Sequence, residues 1–250
     1  MAYTTIKKPS DYFNTKLYTG NGTTQSITGV GFQPDFTWIK SRNDTNSHFL
    51  FDAVRGATKL INSDTNNAES TQADTLTSFD SDGFSLGDGT GVNGSSDTEA
   101  SWNWRANGAG SANTDGSISS TVSANTTSGF SIVKWTGSGS SATLGHGLNS
   151  TPKCIIVKNL TDSTNWFLYN HSVITASSTN KSFMTLNTID ALGTNGSATT
   201  FTSVSDTTFG VGTDNIINGS GDNMIAYCFA DVQGYSKVGG SYTGNGNADG

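Results

Sequence analysis

The chain repeats itself, and that limits its fold more than any other feature of the sequence. Tyr18-Thr19-Gly20-Asn21-Gly22 returns as Trp135-Thr136-Gly137-Ser138-Gly139, and again as Tyr242-Thr243-Gly244-Asn245-Gly246. Further matches follow in the same order. Pro34-Asp35-Phe36-Thr37-Trp38-Ile39-Lys40 corresponds to Pro152-Lys153-Cys154-Ile155-Ile156-Val157-Lys158, and His48-Phe49-Leu50-Phe51-Asp52 to Trp166-Phe167-Leu168-Tyr169-Asn170. Asp44 then matches Asp162, and Asn93-Gly94-Ser95-Ser96-Asp97 matches Asn218-Gly219-Ser220-Gly221-Asp222. Each last Asp is followed by an aromatic pair, Trp102 with Trp104 and Tyr227 with Phe229. Such self-similarity marks one supersecondary unit used more than once. The sequence divides into a first module at 1–106 with a short N-terminal arm and a Gly/Ser/Thr/Asn-rich linker at 107–128. A second module at 129–234 and the opening strand of an incomplete third at 235–250 follow. The linker has room for one edge strand around Ile118 to Val122.

Within each copy the hydrophobic period is two, as in a strand. Phe49 and Phe51 alternate with Leu50 and Asp52, and Ile225, Tyr227 and Phe229 share one face. Phe36-Thr37-Trp38-Ile39 and Cys154-Ile155-Ile156-Val157 are apolar on both faces, which predicts a central strand. Asn93-Gly94 and Asn218-Gly219 read as two-residue hairpin turns, because Asn-Gly accepts positive φ. No amphipathic helix of useful length is visible, although residues 52–61 could hold one helical turn. Short strands separated by frequent turn signals predict an all-β fold of two tandem antiparallel β-sandwich modules, of jelly-roll or lectin-like type.

Composition narrows the function classes. Charged residues are only 13% of the chain, yet aromatic residues reach 10%, enough for packed cores and too many for a disordered chain. The net charge of −7 disfavours nucleic acid and anionic lipid, both of which need clustered cations. The opening residues hold no apolar run, so no signal peptide is read, and no stretch is long enough to insert in a membrane.

Few residues suggest chemistry. Asp80, Asp82 and Asp88, interleaved with Gly83 and Gly89, form a weak calcium candidate. They lack the full EF-hand spacing, and the second copy has no paired Asp there, so a turn is the preferred reading. As an acid–base pair they lack any legible substrate-binding groups. Asp44, Asp97, Asp162 and Asp222 occur in both copies and read as turn-stabilising groups. The Tyr/Trp-Thr-Gly-Asn/Ser-Gly element is either a glycan-stacking aromatic or a strand ending in a tight turn, with the turn preferred. Trp166 and His48 occupy one site in the two copies, on the face opposite the core pair. They point to solvent, a second sheet or a neighbouring subunit, and are candidates for ligand or subunit contact. Cys154 and Cys228 read as buried free thiols; a disulfide would require neighbouring strands. No catalytic residue, metal centre or cofactor is assigned.

The strings Met1-Ala2-Tyr3-Thr4-Thr5-Ile6-Lys7-Lys8-Pro9-Ser10-Asp11-Tyr12-Phe13-Asn14, Gly31-Phe32-Gln33-Pro34-Asp35-Phe36-Thr37-Trp38-Ile39-Lys40 and Tyr227-Cys228-Phe229-Ala230 with Gly234-Tyr235-Ser236 resemble tandem-module virion proteins of marine bacteriophages. These are of tail-fibre or head-decoration type, with lectin-like β-sandwich modules. The resemblance covers nearly the whole chain and supplies no catalytic residues. It implies a structural protein of the virion, made in the host cytoplasm, that assembles as a homo-oligomer with other virion proteins and contacts host surface glycan. A lectin-like adhesin is the alternative, and a surface-glycan depolymerase a weaker one.

Overall fold

The computed structural model describes residues 3–240 and 243–246. A short 3₁₀ turn, Pro9–Asp11, precedes nine strands in the first half: β1 (Phe13–Thr19), β2 (Gln25–Thr28), β3 (Phe36–Ser41), β4 (Phe49–Asp52), β5 (Lys59–Asn62), β6 (Ser70–Thr71), β7 (Leu76–Asp80), β8 (Gly83–Leu86) and β9 (Thr98–Trp104). A single helical turn, α1 (Thr90–Asn93), lies between β8 and β9. A larger sheet runs β1-β9-β3-β4-β5-β6 and a smaller one β2-β8-β7, all antiparallel.

Residues 107–128 then supply β10 (Ser111–Asn113) and β11 (Ser120–Asn125). The second half continues with β12 (Phe130–Thr136), β13 (Ala142–Gly145), β14 (Pro152–Asn159), β15 (Phe167–Asn170), β16 (Ser182–Thr185), β17 (Gly193–Thr194), β18 (Phe201–Val204), β19 (Thr208–Val211), α2 (Asn215–Asn218) and β20 (Asn223–Ala230). Its sheets run β10-β11-β12-β20-β14-β15-β16-β17 and β13-β19-β18. With β10 and β11 set aside, every strand of the second half has its counterpart in the first, in the same order. The segment read as a linker with one edge strand around Ile118 to Val122 does carry a strand there, β11, but β11 pairs with β12 as a hairpin and has β10 on its other side.

The chain is an all-β antiparallel sandwich. Its strands β3 and β14 are central, as their two-sided apolar pattern predicts. The Asn-Gly pairs, however, are not hairpin turns. Asn93 and Asn218 end the helical turns α1 and α2 and are fully buried. Asn93 Nδ2 donates to the Gly87 carbonyl at 2.7 Å, and its Oδ1 accepts from the Asn21 amide at 3.0 Å. Asn218 repeats this with Gly212 and Ser138. The opener closes the same clasp through Gly20 N to Asp97 O and Gly137 N to Asp222 O, both 2.8 Å. A Cβ on Gly20 would lie 2.2 Å from the Gly94 oxygen, and one on Gly137 2.0 Å from that of Gly219. The two most repeated strings in the sequence thus persist because their backbones touch each other.

Three cores separate four layers. One lies between the first half's two sheets, around Phe51, Phe84 and Leu76, and another between the second half's, around Phe167, Phe201 and Phe209. The third draws on both halves: Phe36, Leu50, Ile61 and Ala106 pack against Phe130, Ile132, Leu160, Trp166, Ile225 and Tyr227. Period-two alternation distributes the strands between cores. Phe51 and Leu60 face inward while Leu50 and Ile61 face the seam, and Ala226 and Cys228 face inward while Ile225 and Tyr227 face the seam. Each buried ring contributes about 1.5–3 kcal/mol. Residues 53–58 form a turn, not a helix. The third opener carries no strand at Thr243–Gly246, and Tyr242 lies outside the described residues. Among the described residues no helix is long and apolar enough to cross a membrane.

Candidate functional site

The seam between the halves holds a fully buried ion pair. Asp52 ends β4 with its carboxylate fully buried, and Asn170 stands at its place in the second half. The Asp52 Oδ1 accepts from the Val54 and Arg55 amides, and the Asp52 Oδ2 accepts from Arg55 Nε at 2.5 Å and from the Tyr227 hydroxyl at 2.7 Å. Arg55 also donates to the Leu50 and Lys59 carbonyls and to Glu69 Oε2 at 3.3 Å. Every strong donor in this cluster has an acceptor, as a buried ion pair requires. Burial works against the Arg55 charge, but Asp52, with Tyr227 and Glu69, outweighs it and raises the guanidinium pKa. The Tyr227 hydroxyl is held neutral, first by burial and then by Asp52.

Lys158 makes a second junction. Its buried ammonium donates to the carbonyls of Asn159 at 2.7 Å, Thr164 at 3.0 Å, Asp162 at 3.2 Å and, across the seam, Asn66 at 3.4 Å. Burial pulls its pKa down to about 8, and Asp162 resists that pull. Its counterpart Lys40 donates to Ser41 and Asp44 in the same way. The repeated Asp44 and Asp162 therefore serve these lysines through their main-chain oxygens.

The ligand-contact reading of Trp166 is corrected by its position. Its ring is 0% exposed, in the third core, and its Nε1 donates to the Asn62 carbonyl across the seam at 2.9 Å. Of the three directions open to it from sequence, it takes the one toward a second sheet. His48 is half-buried, and its Nδ1 accepts from Trp38 Nε1 at 2.8 Å. Desolvation lowers its pKa. Asn62 Nδ2 donates to the His48 carbonyl at 3.0 Å, so Asn62 joins the two repeat-equivalent residues at the seam.

The calcium candidate does not converge. Asp80 accepts from the Ser78 and Ser85 hydroxyls, whereas Asp82 accepts from the Gly29 and Gly31 amides at 2.9 and 2.7 Å. Asp82 forms part of the tight β7–β8 turn, and these amide bonds lower its pKa. Asp88 is exposed between two glycines that lie on the Asp74–Thr75 backbone. Among the described residues no group of three His, Cys, Asp or Glu is placed to hold a metal ion. Cys154 and Cys228 are both free. Their strands are neighbours, but Cys154 sits opposite Phe229 and Cys228 opposite Ile155. That one-residue offset sends the thiols to opposite faces. Burial pushes Cys154 up to about 12, too high for a thiolate at neutral pH.

At one end the seam opens into a cleft of about 430 Å³. Phe13 and Trp104 of the first half face Phe130 and Phe229 of the second, and Tyr235, Ser236 and Lys237 form a wall. Phe13 and Trp104 lie 4.8 Å apart between centroids, and Phe130 and Phe229 5.1 Å. Burial, then Tyr12, pushes the Tyr235 hydroxyl up to about 12. Aromatic faces beside hydroxyls and one ammonium suit an apolar ring or the flat face of a sugar.

A family model described as a domain of unknown function, DUF7483, matches residues 8–250. The chain belongs to the DUF7483 family. The match takes in both halves and the seam together. No curated protein and no solved structure matches the chain.

Two features of the first half went unread in the sequence. Glu99 is buried in β9, and neither carboxylate oxygen has a hydrogen-bond partner. Desolvation and then Asp97 push its pKa up to about 7, against the pull of Lys40. The comparison of copies holds the signal, because the register places Met224 at the equivalent position of β20. The second is the open edge of β1, whose counterpart β12 is covered by β11.

Proposed function

We propose that this DUF7483 chain is a structural protein of a bacteriophage virion, on a tail fibre or on the head surface, acting by assembly and in host attachment. One observation carries the reading: the two halves of the chain are joined by a buried aromatic seam that contains a fully engaged ion pair. Such a seam resists hinge motion, because separating the halves would expose the Asp52–Arg55 pair together with the rings around it. A stiff unit of this kind suits a surface appendage that transmits load. The resemblance of the opening strings to phage virion proteins supplies the biological setting, with synthesis in the host cytoplasm and residence in the virion. The role assigned is mechanical and has no catalytic step. Antibody against the purified chain, applied to phage particles and viewed by electron microscopy, is expected to label a fixed position on tail or head. Particles that never label, from a lysate that contains the chain, overturn the reading.

The aromatic cleft favours a second reading, a lectin-like module that binds host glycan. A glycan array is then expected to give signals that Trp104→Ala abolishes. An array that stays at background removes this reading and leaves the first intact.

A further inference from the structure

The two halves differ at one sheet edge. In the second half β11 pairs antiparallel with β12 through Asn125↔Phe130, Ala124↔Ser131, Ser123↔Ile132, Val122↔Val133 and Thr121↔Lys134. In the first half the equivalent strand β1 ends its sheet with no strand beside it among the described residues. The residues that precede it form the Pro9–Asp11 turn rather than a strand. The other edges of the two larger sheets are short, β6 and β17 with two residues each and β10 with three, and no edge of the smaller sheets exceeds the five residues of β7. At seven residues β1 is a long edge, and natural sheets seldom leave one open. It also carries Leu17, which is 58% exposed.

The backbone of β1 is oriented for a partner. Arg105 N donates to Tyr12 O and Gly20 N to Asp97 O, so the even-numbered residues of this stretch bond β9. By antiparallel alternation, the N–H and C=O groups of Phe13, Thr15 and Leu17 point away from β9. Their counterparts Phe130, Ile132 and Lys134 are the residues that face β11 in the second half.

We propose that this edge takes β1 of a second copy of the chain, antiparallel about a two-fold axis through Thr15. That register pairs Phe13–Leu17 of one copy with Leu17–Phe13 of the other, the same span that β11 covers on β12. It sets each exposed Leu17 opposite the partner's Phe13, at the lip of the aromatic cleft. It also sets Lys16 opposite the partner's Asn14, whereas moving the two-fold axis by one residue, to Lys16, would place Lys16 against Lys16. One contact must give way, because Asn14 Oδ1 accepts from the Thr15 amide at 3.0 Å. The two larger sheets would then form one continuous sheet through β1. The contact rests on the homo-oligomer of the assembly reading and gives that oligomer a defined interface.

Sedimentation of the purified full chain over a concentration series tests it. The unaltered chain is expected to form dimers. Thr15→Pro, which removes an N–H that points away from β9, is expected to weaken dimerisation by roughly tenfold or more without lowering the melting temperature much. Thr15→Cys is expected to cross-link to itself under mild oxidation, since paired strands bring the two Cα atoms to about 5.5 Å. Thr19→Cys, beyond the paired stretch, is expected not to. If Thr15→Pro fails to fold, the two cysteine variants decide. A chain that remains monomeric at every concentration, or dimers in which Thr15→Cys does not cross-link, overturn the proposal. Monomers that nevertheless label phage particles would remove the β1 contact and leave the virion reading standing. Cross-linked dimers that never label particles would do the reverse.

Discussion

Down the middle of the first half β9 presents Glu99, Ser101 and Asn103, where β20 of the second half presents Met224, Ala226 and Cys228. The first half answers with a small polar network. Thr37 Oγ1 donates to Asn103 Oδ1 at 3.1 Å, and Asn103 Nδ2 reaches Ser101 Oγ at 3.0 Å. The second half places Ile155 opposite Cys228 and packs the same volume with apolar groups. One topology therefore tolerates either core, provided that the polar version satisfies its own hydrogen bonds. Glu99 is the place where it does not. The comparison teaches which residues the fold itself demands: those that hold backbone against backbone are kept in both copies, and those that only fill volume are free to drift.

Perturbing the halves separately tests this division. The largest effect is expected where the halves differ but meet. Arg55→Ala leaves Asp52 and Tyr227 buried around an uncompensated charge and should cost about 3–5 kcal/mol in denaturant unfolding. Asn170→Ala, at the position equivalent to Asp52, should cost far less. Next are the shared clasps. Asn93→Ala and Asn218→Ala each strip a fully buried amide from its carbonyl partners and should each cost about 2–3 kcal/mol. A large inequality between the two would break the claim that the repeat is kept for the clasp.

The smallest effect is expected to be a gain, and it depends on pH. Folding raises the Glu99 pKa from 4.5 to about 7, so the folded state binds this proton more tightly than the unfolded state. The associated stability is present below about pH 4.5 and is lost as pH rises through about 7. Glu99→Gln should therefore stabilise the chain at pH 8, by on the order of 2 kcal/mol, and change little at pH 4.5. Melting curves at the two pH values check this, and equal shifts at both would show that burial of the charge is not the cause.

Much of the fold could be read from the chain alone. Period-two patterns at residues 49–52 and 225–229 located strands, and the two-sided apolar character of residues 36–39 and 154–157 placed β3 and β14 at the centre. Other features misled. Asn93-Gly94 carries the composition of a hairpin turn, yet the clasp with Gly20–Gly22 overrides the local preference. Residues 107–128 read as a linker with room for only one edge strand because β11 is mostly Ser, Thr, Ala and Asn; what pairs it on both sides is the waiting edge of β12 and the short strand β10. From sequence Trp166 could face solvent, a second sheet or a neighbouring subunit, because its strand already had an inward face to fill. Nothing local to it chose among the three.

The sequence by itself determined the repeat, the antiparallel strands and the alternation that gives each strand two usable faces, because these follow from spacing within a few residues. Only the tertiary structure decided that the two halves share a core, that Asp52 and Arg55 meet Tyr227, and that β1 is left open while β12 is covered. Those outcomes depend on which surfaces face one another across more than a hundred residues of chain, as Trp166 and Asn62 do. The repeat first seen as two matching strings is, in the folded protein, the reason both halves have the same face to offer each other.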